Sequence, residues 1–227
     1  MSAEATKNRI VETASQVFAE KGYDETTIRD IAALADVNLA SVSYHFGGKK
    51  ELYRRAVEYL LEDPDEVEMF TRIQQINDEA SFKKVCREEI NNILECCRED
   101  SKMLNASKIM SHEIYQPSEA FKEVFLPYIR TFMKEMMALL SLGLPEDTDS
   151  DKLFLRTFML FEICYHFGMK VEFFKDIFNG RDFVKENEQT FGDMVFDKFI
   201  SELEYNPASK TVISKYFNSN MTMELSS

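Results

Sequence analysis

Asn38, Ser41, Tyr44, His45 and Lys49 set an amide, a hydroxyl, a phenol, an imidazole and an ammonium within one short stretch. None of them has the partner that catalysis needs. The chain holds no glycine-rich phosphate loop, no His-Glu-x-x-His pattern and no nucleophile elbow. Acid pairs such as Glu88-Glu89 are expected on a solvated helix face. No catalytic residue, metal site or cofactor is therefore assigned. What these groups can do is recognise: they reach hydrogen-bonding base edges, and they hold phosphates. The implied partner is double-stranded DNA.

Two short helical patterns position them, on either side of a turn at residues 35–38. Thr27 can N-cap the first helix, whose apolar side is Ile28, Ile31, Ala32 and Ala35. Ala32 is small where two helices must cross closely. Asp36 sits where the turn requires a left-handed backbone, which Asp and Asn tolerate among non-glycine residues. Asn38 then N-caps the second helix. At about 100° per residue, Val42 and Phe46 point inward while Ala40, Ser41 and Tyr44 point outward, with His45 at the flank. This is a helix-turn-helix with a reading helix suited to a major groove. Ala40, Ser41 and Tyr44 are expected to face bases, with Asn38 at the helix start. Thr27, His45 and Lys49 are expected to hold phosphates, the first and last from helix N-termini that favour anions.

Residues 10–57 resemble the DNA-binding domain of the TetR family of repressors. The likeness rests on Ala14, Phe18 and the turn Lys21-Gly22-Tyr23, then Thr26-Thr27-Ile28-Arg29-Asp30-Ile31-Ala32. It continues through Tyr44-His45-Phe46-Gly47-Gly48-Lys49-Lys50-Glu51-Leu52. Two departures stand out. The family usually has Gly where this chain has Asp36, and often Ser-Lys or Ser-Arg where it has Asn38-Leu39. The second leaves one fewer cation at the groove. The stretches 38–46 and 112–121 are similar to the CecR-like branch, the latter carrying Glu113 and Pro117-Ser118-Glu119-Ala120-Phe121.

Composition fits an all-α protein. Seven glycines and five prolines leave little room for a β-rich fold. No apolar run of about 18 residues suggests a membrane span, and the N-terminus lacks the apolar core of a secretory signal; a cytoplasmic location is expected. Cys86, Cys96, Cys97 and Cys164 form no zinc pattern. Reduced thiols are expected, and a redox sensor at Cys96-Cys97 is the alternative. The net charge of −13 is uneven. Residues 1–61 hold 8 Lys/Arg against 9 Asp/Glu, net −1. Residues 37–57 hold Lys49, Lys50, Arg54 and Arg55 against Glu51, net +3. Phosphate attraction follows charge within about 8–10 Å, so the acidic bulk is expected away from the duplex.

Helical periodicity runs throughout. Helices are expected at 4–21, stopped by Lys21-Gly22, and at 49–61, ended by Asp63-Pro64. Others are expected at 66–76, at 81–99 capped by Ser81, at 101–116, and at 118–142 kinked at Pro127. The last two run over 150–178 and 185–205 with Asn179-Gly180 between. Pro64 marks the boundary between a helix-turn-helix domain at 1–62 and a larger helical ligand-binding and dimerisation domain at 63–206. Residues 207–227 are read as a loosely held tail.

By resemblance, the last two long helices build a homodimer, with Phe158, Tyr165, Phe191, Val195 and Phe199 as its expected contacts. Also by resemblance, the helices at 101–116, 118–142 and the first half of 150–178 enclose a small-molecule effector. Its expected walls are Met103, Met110, Phe121, Phe125, Phe132, Phe158, Phe161 and Tyr165, many of them flexible or aromatic side chains. His112 and His166 are expected to be hydrogen-bonded structural groups, with effector contact as the alternative. The expected function is a DNA-binding regulator, a repressor released from its operator by a hydrophobic or amphipathic effector. The alternative is a C-terminal domain that senses a protein partner or redox state.

Overall fold

The computed structural model describes residues 3–61, 69–96, 98, 101, 103–115 and 117–210. Among them every regular element is helical. The chain divides into two compact units, residues 1–65 with 98–129, and residues 66–97 with 130–227.

The first unit begins with α1 (Ala3–Glu25), which is broken at Gly22 (φ 73, ψ 173). The expected stop at Lys21-Gly22 is thus a break inside a longer element. A Cβ on Gly22 would lie 3.4 Å from the Cβ of His112, so both the backbone and the neighbour favour glycine there. Three helices follow: α2 (Ile28–Leu34), α3 (Leu39–Phe46) and α4 (Lys49–Leu61). Later in the chain, α7 (Met103–Glu113) and α8 (Glu119–Val124) complete the unit. Its core includes Ile10, Ala14, Phe18, Leu52, Tyr53 and Ile109. The rings of Phe18, Tyr23 and Tyr53 pack together, with Tyr53 5.0 Å from each of the other two.

The turn between α2 and α3 follows from its residues. Thr27 and Asp30 form a reciprocal capping box at the start of α2. At its end, the Val37 amide donates to the Ala32 carbonyl at 3.0 Å and the Asp36 amide to the Ala33 carbonyl at 3.3 Å. That is a Schellman ending, and Asp36 takes the left-handed position with φ 50. The Asn38 side chain then accepts from the Ser41 amide at 2.6 Å to start α3. Gly47, with φ 71, closes α3.

The second unit holds α5 (Met69–Gln75), α6 (Glu79–Glu95), most of α9 (Leu126–Ser141), α10 (Ser150–Met169), α11 (Val171–Ile177) and α12 (Phe183–Phe199). Helices α6, α10 and α12 pack on one another. They bury Phe82, Cys86, Ile90, Leu160, Cys164 and Phe196 among others. Gly143 lets the chain pass close to Phe82 and Leu203, since a Cβ there would come within 2.8 Å of both.

Several expected boundaries move. Asp78, not Ser81, caps α6, and Ser81 supplies the reciprocal half of the box. The helix expected at 118–142 divides at Phe125, two residues before Pro127. Proline lacks an N–H and its ring crowds the carbonyl four residues back, so the break falls upstream. The helix expected at 150–178 divides at Lys170 (φ −102, ψ 22). Asn179 and Gly180 take φ 54 and 86 and turn the chain into α12. After that helix, the Asn206 amide donates to the Leu142 carbonyl at 2.7 Å, and Pro207–Ser209 forms a 3-10 turn with Ser209 buried. Residues 211–227, and the expected domain boundary at Pro64, lie outside the described residues.

Candidate nucleic-acid interface

The exposed side of α3 is uncharged. Val42 and Phe46 are buried, and Tyr44, about 180° from the midpoint between them, is 86% exposed. Ala40 and Ser43 are exposed beside it, while Ser41 and His45 are half-buried. His45 meets Tyr44 edge-on, ring centroids 5.2 Å apart, at the flank where it was expected. Two more residues of α3 are exposed that sequence reasoning omitted. Ser43 is exposed beside Tyr44, and Leu39, on the side of Val42 and Phe46 by the helical period, remains 45% exposed because it is the first residue of α3.

Thr27 is exposed, and its hydroxyl accepts from the Asp30 amide at 3.1 Å. That cap, with help from Lys21, holds the Asp30 carboxyl below its ordinary pKa. Lys49 begins α4. Its Nζ donates to the Asp24 carbonyl at 3.1 Å and lies 4.4 Å from the centre of the Tyr23 ring. Burial lowers its pKa, and Asp24 opposes the shift.

The expected local charge of +3 is largely neutralised. Arg54 and Arg55 each reach both Glu51 and Glu58, in a lattice of four charges along α4. Lys50 pairs with Glu123 of α8. The hydrogen bond from Arg54 is the main cause lowering the Glu51 pKa. Sequence spacing carried the Glu51 and Glu58 pairs at three and four residues. It did not carry Glu123, which arrives from a distant helix.

The residues expected around an effector fall into the two units separately. Phe121 and Phe125 belong to the core of the first, where Met103 and Met110 pack against it. In the second, Phe161 stacks on Tyr165 at 5.5 Å and meets Phe132 at 5.6 Å. Phe158 stacks on Phe154 at 6.0 Å and is 43% exposed. Of the residues expected at a dimer contact, Tyr165, Val195 and Phe199 are buried within their own unit. Phe191 stacks on Phe167 at 3.8 Å, and Phe158 faces solvent. Helix α10 also leaves Leu155, Met159 and Ile163 exposed, residues the sequence reading did not single out.

Two expectations about polar groups resolve differently. Glu89 is buried rather than solvated, ion-paired with Arg72 of α5, whereas Glu88 is half-exposed. The correction follows from register, because residue 89 continues the inner stripe of 82, 85 and 86. Both histidines have protein partners as expected: the His112 ring nitrogen lies 3.0 Å from the Ala19 carbonyl, and His166 contacts Glu162. Cys86 and Cys164 are buried free thiols. Burial pushes both thiols upward in pKa, Cys164 to about 12, so neither carries thiolate at neutral pH. Cys97 lies outside the described residues. Among the described residues, no group of three or more His, Cys, Asp or Glu is arranged to hold a metal ion, and no helix is long and apolar enough to cross a membrane.

Comparison with known proteins bears directly on this interface. The family model described as bacterial regulatory proteins of the tetR family matches residues 10–56. The C-terminal domain of the HTH-type transcriptional dual regulator CecR matches residues 86–195. The chain belongs to the TetR family. Both models describe transcriptional regulators, and the first covers the helix-turn-helix. It is 44% identical over 52 residues to the biofilm operon icaADBC negative transcriptional regulator IcaR of Staphylococcus epidermidis. That match covers 23% of this chain and 28% of IcaR, so it spans less than a third of the relative's length. Among solved structures, the hemolysin II transcriptional regulator HlyIIR is 22% identical, with a TM-score of 0.60, over 90% of this chain and 100% of that one. NalD of Pseudomonas aeruginosa, the secondary repressor of the MexAB-OprM multidrug efflux pump, is 14% identical, with a TM-score of 0.56, over 89% and 98%. At these identities the two structures share the fold alone. They carry no operator and no effector over to this TetR-family chain.

Proposed function

We propose that this regulator represses transcription in the cytoplasm by occupying an operator as a two-fold homodimer, and that a small apolar or amphipathic molecule releases it. The observation that carries the DNA reading is the uncharged exposed face of α3, with Tyr44 at its centre and Thr27 and Lys49 at neighbouring helix starts. Ala40, Ser41 and Tyr44 face base edges with Asn38 at the helix start, and Thr27, His45 and Lys49 hold phosphates. Repression accords with the roles of IcaR, a negative transcriptional regulator, and NalD, a secondary repressor.

A single reading helix covers only a few base pairs. Helix-turn-helix dimers extend the site by placing two heads about 34–36 Å apart, or a multiple of that. The exposed stripe of Leu155, Phe158, Met159 and Ile163 on α10 supports a dimer face, because residues three and four apart form one continuous surface. The effector is proposed to contact the Phe132, Phe161 and Tyr165 cluster of the second unit. It can release DNA only through different affinities for the two forms, and a 100-fold drop in operator affinity needs about 2.7 kcal/mol of coupling.

The test starts from a pool of random duplexes, from which bound sequences are selected with the full chain. An enriched two-fold site supports the operator reading, and failure to retain any duplex at low salt rejects it. Hydrophobic compounds are then screened for a raised melting temperature, which binding to the folded form must produce. A compound that stabilises the chain should also weaken operator binding. Phe161→Leu should change that response and leave ligand-free DNA binding intact.

A further inference from the structure

The reading helix lacks the groups that select guanine. Bidentate recognition of guanine requires an Arg or Lys reaching its O6 and N7. Helix α3 contains neither; its exposed positions are Leu39, Ala40, Ser43 and Tyr44. Asn38 could in principle fork onto adenine, but its carbonyl oxygen is held by the Ser41 amide at 2.6 Å, which fixes the side chain in its cap. What this surface offers is a branched alkyl group, a methyl group, a phenol ring and hydroxyls. In the major groove, the base feature that matches alkyl and aromatic surface is the C5-methyl of thymine. The exposed Leu39 has the same implication, since an apolar side chain at a groove gains by covering methyl groups rather than polar edges.

We propose that α3 reads its half-site through thymine, packing C5-methyl groups against Leu39, Ala40 and the Tyr44 ring. Ser43 and the Tyr44 hydroxyl add single hydrogen bonds to thymine O4 or adenine N6, which hydroxyl groups form without discriminating strongly. The edge-on contact of His45 steadies the Tyr44 ring over the groove. Arg29, exposed on α2, is the one Arg or Lys on the two helices of the motif, and it lies on the helix that crosses the backbone rather than the one that enters the groove. This inference rests on the operator reading above and specifies what that site selects.

Selection from random duplexes should enrich half-sites with thymine at the positions facing α3. Replacing each of these thymines by deoxyuridine removes one methyl and keeps the pairing. Binding should weaken about four-fold per methyl, as expected for loss of one buried methyl-sized group. Deoxyuridine outside the half-sites should have no effect. Leu39→Arg, at an exposed position, should shift selection toward guanine. Half-sites centred on guanine and bound equally well with deoxyuridine would overturn the inference while leaving operator binding intact. So would a selected guanine whose preference disappears in Arg29→Ala, since α2 would then be the reader. Failure to bind any duplex would instead remove the operator reading, and this inference with it.

Discussion

Lys50, the second residue of α4, is ion-paired with Glu123 of α8, so a cation beside the expected phosphate contact is already held by an acid of its own unit. Both side chains are about half exposed, which makes the pair weak as a source of stability. Its consequence is electrostatic. A carboxylate within a Debye length of the duplex repels phosphate and competes for the cation. Glu123→Gln should strengthen DNA binding a few-fold at low salt and steepen the salt dependence by up to about one. The gain should vanish when Lys50 is also changed to Ala. Fluorescence anisotropy across a salt series measures both, and no change in either quantity would show that Lys50 does not approach phosphate.

Lys49 serves two purposes at once. It ties the start of α4 to the Asp24 carbonyl and the Tyr23 ring, and its position suits a phosphate. Lys49→Ala should weaken binding to all sequences alike and reduce the salt slope by about one. The lost hydrogen bond should lower stability by only about 0.5–1.5 kcal/mol, so a folded variant remains for the measurement. Unaltered affinity at every salt concentration would remove Lys49 from the contact.

Phe158 and Phe199 should fail differently. Phe158 is 43% exposed on α10, whereas Phe199 is buried in the second unit. Phe158→Glu should give a folded monomer that sediments at half the mass of the native dimer. Phe199→Glu should give unfolded or insoluble chain, because an unpaired carboxylate in an apolar core costs several kcal/mol. A native chain that sediments as a monomer at micromolar concentration would dispose of the dimer.

Tyr53 is fully buried, and its hydroxyl has no hydrogen-bond partner among the described residues. Burial, with Glu113 and Tyr23 adding to it, pushes the phenol far above its ordinary pKa, so it stays neutral. Its ring packs edge-on against Phe18 and Tyr23. Tyr53→Phe keeps the ring and removes the unsatisfied group, and should leave stability unchanged or raise it by about 1 kcal/mol. Tyr53→Ala should cost about 3–5 kcal/mol. A large loss in the Phe variant, measured by thermal or urea denaturation, would mean that the hydroxyl is bonded in solution.

The helix-turn-helix was legible because its determinants are local. Thr27, Asp36 and Asn38 act on backbone groups within a few residues, and the inward Val42 and Phe46 follow the helical period. The outward face of α3 followed from the same period, and with it most of the candidate interface. Helix breaks were less legible where no proline or glycine occupied the break itself, as at Phe125 and Lys170.

Sequence by itself determined the all-α class, the position of the reading helix and the chemistry of its exposed side, since each depends on contacts between near neighbours along the chain. Tertiary structure alone decided which long-range neighbour each side chain met. It placed Glu123 against Lys50 and Arg72 against Glu89. It buried Tyr165, Val195 and Phe199 inside their unit while leaving Leu155, Phe158, Met159 and Ile163 in solvent. Apolar character says that a residue gains by leaving water, but not which surface will cover it, and charge says that a partner is wanted, but not which distant helix supplies it.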